Sequence, residues 1–107
     1  NEVIYLITDK YVYIERFFYK KESIYVEEVK KISFKKIYIK TTPYYTVRID
    51  YLDEKEKLNF SNLLHYRITG KDKIVDFLNF FEGKTEIDYK SFEQYGILFD
   101  GHKFYKK

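Results

Sequence analysis

Tyr45-Thr46-Val47-Arg48-Ile49-Asp50-Tyr51 alternates apolar and polar residues without a break. In an extended chain successive side chains point to opposite faces, so Tyr45, Val47, Ile49 and Tyr51 share one face and Thr46, Arg48 and Asp50 the other. The stretch is the clearest half-buried β-strand in the chain and sets the expectation of sheet. On its C-terminal side Asp53-Glu54-Lys55-Glu56 is a solvated hairpin loop. A short return strand follows, with Leu58 and Phe60 on one side, and Leu64, Tyr66 and Ile68 are patterned for another.

Towards the N-terminus, Thr41-Thr42-Pro43 is a break holding the only proline. Before it, Ile32 to Lys40 slips its period: Ile32 and Phe34 have one parity, Ile37 and Ile39 the other, with Lys35-Lys36 between. One extra residue flips the side-chain faces, which is the mark of a β-bulge, or else two short strands meet there. Residues 2–7 read as a strand buried on much of both faces, and Thr8-Asp9-Lys10 as a turn. Tyr11 to Phe18 reads as a second strand, ending at Tyr19-Lys20-Lys21-Glu22. Ser23 to Val26 reads as a third, and Glu27 to Lys31 as a polar connection.

Towards the C-terminus the period changes. Ile74, Phe77, Leu78 and Phe81 stand at i, i+3, i+4 and i+7, one face of a helix over about 71–82. Thr69 or Gly70 is placed to cap it, Asp72 lies where the helix dipole favours an anion, and Gly83 is a natural stop. So short a helix is marginal alone and has to pack on the sheet. Beyond it, Ile87 and Tyr89 are patterned for a stub. Ile97-Leu98-Phe99, Asp100-Gly101 and His102 to Tyr105 read as a hairpin with a two-residue turn.

The expected fold is therefore mainly β (α+β): a bent, nearly closed antiparallel sheet or barrel of six or seven strands, capped by one C-terminal amphipathic helix and followed by a short β-hairpin. Residues 1–83 form the barrel and its helix; 84–107 are an extension, either part of the same domain or the start of another. Composition agrees. A chain of 107 residues is one domain's worth, and 13 Tyr and 10 Phe beside many Ile and Val suit pleated, half-buried surfaces.

Leu6-Ile7-Thr8-Asp9-Lys10-Tyr11-Val12-Tyr13-Ile14 resembles the strand–turn–strand opening of bacterial pleckstrin-homology-like domains, where a threonine-aspartate turn precedes a basic residue. Ile24 to Phe34 is similar to the stretch that follows in that family, and Lys73 to Phe81 matches its closing helix in pattern. The resemblance covers residues 1–83 and implies a fold first: a bent sheet plugged at one end by the helix. It also implies a non-catalytic interaction or scaffold module that binds a protein or peptide. Phosphoinositide-binding relatives carry alternating Lys and Arg in the first hairpin. Here that turn is Thr8-Asp9-Lys10, so specific phosphoinositide binding is not expected.

The charge narrows the remaining choices. Twenty Lys+Arg against 17 Asp+Glu give +3, and only Arg16, Arg48 and Arg67 are Arg, the residue preferred for bidentate phosphate recognition. Lys20-Lys21, Lys30-Lys31 and Lys35-Lys36, interleaved with Tyr19, Tyr25, Phe34 and Tyr38, are the candidate anionic-ligand contacts. On one aromatic sheet face they would hold single-stranded nucleic acid or anionic membrane weakly; the ordinary explanation is a solvated rim that guards strand edges.

No cofactor, metal site or catalytic residue is expected. The chain has no Cys, and His65 and His102 lack partners at metal-ligand spacing. Ser61, His65 and Asp50 have no nucleophile-elbow context, and Glu27-Glu28 and Asp53/Glu54/Glu56 lie in solvated loops. There is no signal-peptide pattern and no apolar run near the roughly 18–20 residues of a membrane span. A cytoplasmic placement, in solution or at the inner face of a membrane, is the expectation. The chain begins at Asn1 without Met, as a segment cut from a longer protein would.

Overall fold

The computed structural model describes residues 3–16, 22–62 and 71–107. Three strands come first: β1 (Val3–Ile7), β2 (Tyr11–Arg16) and β3 (Glu22–Tyr25). A 3-10 turn at Val26–Glu28 leads into β4 (Val29–Ile39), then β5 (Thr42–Leu52) and β6 (Leu58–Asn62). After α1 (Lys71–Phe81) come β7 (Glu86–Ile87), α2 (Tyr89–Glu93), β8 (Ile97–Phe99) and β9 (Phe104–Lys106).

The fold is mainly β, but the strands divide into three sheets: β1-β2-β3, β6-β5-β4-β7 and β8-β9. All neighbours are antiparallel except β7, which runs parallel to β4. The single bent sheet expected from the sequence is thus replaced, among the described residues, by separate sheets and two helices. A hydrogen bond links the first two sheets, the Ser61 hydroxyl donating to the Glu22 carboxylate at 2.9 Å.

One core unites these layers. Val12, Ile14 and Ile24 come from the first sheet, and the pairs Ile32↔Ile49 and Phe34↔Val47 from the second. Ile74, Phe77, Leu78 and Phe81 are all at most 3% exposed, so the helical stripe is the core face its spacing predicts. Residues 84–107 add Ile87, Phe92, Ile97 and Phe104 to the same cluster. Gly83, at φ +82, stops α1 in the left-handed conformation that glycine adopts freely. Asn79 clamps α1 to β9: its side-chain amide donates to the Phe104 carbonyl at 3.1 Å, and its oxygen accepts the Phe104 N–H at 2.6 Å.

Several expectations need correction. The bulge does not fall at Lys35-Lys36, where β4 and β5 keep a continuous register; the shift lies between Val29 and Lys31, with Lys30 the extra residue. The parity slip has another cause. Ile37 and Ile39 lie beyond the core, and Ile39 is 50% exposed. The second correction is the C-terminal turn. Phe99 pairs with Phe104, so the loop has four residues, held by the Asp100 carboxylate accepting from the N–H of His102 (2.8 Å) and Lys103 (2.9 Å). Gly101 has the expected positive φ, +95. Third, Tyr89 starts a helix instead of ending a strand, because Asp88 caps it by accepting the Ser91 N–H at 3.3 Å. The expected strand at Leu64, Tyr66 and Ile68, the Thr69 or Gly70 cap, His65 and the end of the second strand at Phe17 and Phe18 lie outside the described residues.

Candidate functional site

The edge of β4 decides where a partner has access. In an antiparallel pair alternate residues direct both backbone groups to the neighbour, and those between direct them away. On β4 the residues facing away from β5 are met first by the segment after α1. The Thr85 hydroxyl donates to the Val29 carbonyl (2.8 Å), and the Asp88 N–H to the Ile32 carbonyl (2.9 Å). Phe34 N–H then donates to the Ser91 hydroxyl (2.9 Å), which itself donates to the Asp88 carbonyl (2.7 Å). There the seal ends. Among the described residues nothing pairs with this edge beyond Phe34, so the backbone groups of Lys36 and Tyr38 face outward.

The β4–β5 hairpin continues past that point as a two-stranded arm to Lys40, whose φ is +58. Its chemistry is one-sided. From Val29 to Ile49 the chain has Lys30, Lys31, Lys35, Lys36, Lys40 and Arg48, and no acidic residue. The rest of the molecule holds 14 cations against 17 acids, so the positive charge is concentrated on this hairpin. Aromatic rings stiffen its base: Tyr95, after α2, packs on Phe34 at 5.0 Å and on Tyr45 at 5.1 Å. The Lys36 ammonium stands 5.4 Å from the Tyr38 ring and 5.8 Å from Tyr45. The Tyr38 hydroxyl beside it raises its pKa above the ordinary lysine value, so it keeps its proton. Tyr38 itself is 63% exposed.

The opposite end of the same ladder has the opposite sign. Tyr11, paired with Tyr25 across β2 and β3, lies 4.8 Å from its ring and 5.6 Å from that of Tyr13. With Tyr51 these rings wall a half-open groove of about 840 Å³, rimmed by Glu22, Glu28, Asp53, Glu54 and Glu56. Asp53 also shapes its loop, accepting the N–H of Lys55 (2.9 Å) and Lys57 (3.0 Å). Those donors, Lys57 first, hold its pKa below the usual aspartate value. The Tyr25 phenol is pushed the other way, by the Tyr11 hydroxyl first and further by the charges of Glu54 and Glu27.

The lysine pairs are not gathered on one face. Lys35 and Lys36 are adjacent in a regular strand and therefore point to opposite faces. Lys30 is the exposed extra residue of the register shift, and Lys31 lies 3.7 Å from Glu86. Lys20 and Lys21 lie outside the described residues. Sequence reasoning missed Lys40, Tyr95 and the tyrosine groove. The signal for the arm was readable as the acid-free run from Val29 to Ile49, whereas the groove is assembled from distant segments.

Of the residues weighed for catalysis, Ser61 bonds to Glu22, and Asp50 is held by the Arg48 guanidinium at 3.0 and 3.1 Å. His102 is exposed on the β8–β9 loop. Among the described residues no three His, Asp or Glu side chains are gathered to hold a metal, and no helix is long and apolar enough to cross a membrane. Comparison with family models, curated proteins and solved structures finds no match to this chain.

Proposed function

We propose that the protein is a non-catalytic interaction module of pleckstrin-homology-like character, which binds an extended, acidic protein segment along the open edge of β4. One observation carries the reading: among the described residues, the edge is closed by the chain itself up to Phe34 and left open where Lys35, Lys36 and Lys40 are exposed. A peptide strand added there pairs with the backbone of Lys36 and Tyr38, while its carboxylates meet the lysines. The chain order of two antiparallel sheets followed by α1, whose apolar face lies in the shared core, supports the family resemblance; the third sheet and the parallel β7 lie outside its pattern.

Titration with an eight-residue peptide alternating Glu and Val, followed by amide chemical shifts, tests this reading. The expected response is confined to residues 34–39 and lost with Tyr38→Pro, which removes an outward N–H and leaves the β5 ladder intact. Shifts spread over the whole surface, or unchanged binding by Tyr38→Pro, would sink it.

A second reading rests on the acid-free hairpin alone, as a diffuse electrostatic contact for anionic lipid or single-stranded nucleic acid. Such binding is equal for vesicles of matched charge, whatever their head groups, and collapses as salt rises. Salt-resistant preference for one phosphoinositide isomer would contradict it.

A further inference from the structure

The β4–β5 arm and the tyrosine groove complement each other, and one molecule cannot bring its own two together. Lys40 lies at one end of the ladder and Glu54 and Glu56 at the other. Eleven-residue strands hold those ends about 35 Å apart at roughly 3.4 Å per residue. We propose that the arm of one copy docks in the tyrosine groove of a second copy, so that the protein self-associates through a basic-to-acidic contact. The inference rests on the reading of the arm as a docking element and names a partner for it.

The chemistry on both sides fits. Tyrosine rings and carboxylates line the groove together, and an ammonium on a long apolar stem suits both, through cation–π attraction to rings and ion pairing with acids. The arm already uses that contact internally, where Lys36 stands over Tyr38 and Tyr45. Lys40 and the exposed Tyr38 remain to present to a neighbour, and Lys35 does so from the opposite face of β4. Charge also selects the pairing: arm against arm and groove against groove are repulsive, so arm-in-groove is the favoured contact. The groove of about 840 Å³ is within the range of roughly 300–1,000 Å³ usual for ligand clefts.

Sedimentation equilibrium on the whole chain tests the contact. At about 10 mM salt, where the Debye length is roughly 30 Å, the wild type self-associates; at about 1 M, where it is roughly 3 Å, the protein is monomeric. Lys35→Gln/Lys36→Gln/Lys40→Gln removes the arm charge, and Glu28→Gln/Glu54→Gln/Glu56→Gln lightens the groove. Asp53 and Glu22 are left alone because they hold the loop and the Ser61 contact. Each triple variant alone associates at least tenfold more weakly, with thermal unfolding unchanged. Mixed in equal amounts, they form a 1:1 pair, since one supplies a native groove and the other a native arm. A wild type that stays monomeric at low salt, a triple variant that associates like the wild type, or a mixture without the 1:1 pair would each overturn the proposal. The peptide titration decides the functional reading separately. A monomer that binds the acidic peptide retains that reading and loses this inference.

Discussion

Residues 29–34 and 35–39 of β4 belong to one strand and pair with one partner, yet they live in different surroundings. The first part has buried side chains on both faces around Phe34 and is sealed along its edge by Thr85, β7, Asp88 and Ser91. The second has the same backbone geometry, but among the described residues its edge is bare, and its lysines, Tyr38 and Ile39 are exposed. A strand edge is thus made safe in two ways here: by hydrogen bonds supplied from elsewhere in the chain, and by charge that makes stray pairing unfavourable. Only the second leaves the edge available to a chosen partner of opposite charge.

The contrast breaks most readily in the sealed half. Phe92 is fully buried, with its ring 5.4 Å from that of Phe34, so Phe92→Ala is expected to cost about 3–5 kcal/mol in chemical denaturation. Ser91→Ala leaves the buried Phe34 N–H without its acceptor, a loss of about 1–3 kcal/mol. Amide exchange sharpens that test, because Phe34 should lose protection while Val47 across the ladder keeps most of its own. At the tip, Lys40→Gly relieves a left-handed backbone and is expected to stabilise by up to about 1 kcal/mol. In the open half, Tyr38→Ala should change stability by less than about 0.5 kcal/mol. A loss as large as that of Ser91→Ala would show that the arm's ring cluster, and not the seal, holds β4 in place.

The smallest effect is a pH response. Asp53 and Asp100 both have pKa values held below the usual aspartate range by backbone N–H donors. A depressed carboxyl pKa stabilises the fold above its unfolded value, about 3.9, and the contribution is lost as pH falls through the folded value. Amide protection in 53–57 and 100–103 should persist to about pH 4 and decline below it. Asp53→Asn should remove that pH dependence from the first loop only.

Much of this was legible where local pattern and burial coincide. The alternation from Tyr45 to Tyr51 and the helical stripe from Ile74 to Phe81 each name the face that is buried, because each element crosses the core once. The pattern misleads where an element leaves the core. Ile37 and Ile39 carry the hydrophobicity of a strand without its burial, so their parity suggests a bulge that the register does not contain. Thr46, on the expected polar face, is 1% exposed, since that part of the strand is covered on both sides. Nor does the five-residue α2 show a helical period: its cap is Asp88 and its anchor is the single ring of Phe92. The arm was half legible. Its lysines were picked out as pairs, but adjacent lysines diverge across a strand, and the relevant signal is the absence of acid over twenty-one positions.

The bond from Phe34 to Ser91 spans 57 residues, and that distance becomes a delay during synthesis. A ribosome adding about 5–20 residues per second takes roughly 3–11 s to travel from one to the other. The β4–β5 hairpin, built from neighbours in sequence, closes in about 1–10 μs once both strands have emerged. For most of that time, once Leu52 has emerged, the nascent chain displays the edge of β4, sealed half included. Lys30, Lys31, Lys35 and Lys36 punctuate that stretch of β4, and lysine along an open edge disfavours pairing with a neighbouring chain in the interval before Ser91 arrives.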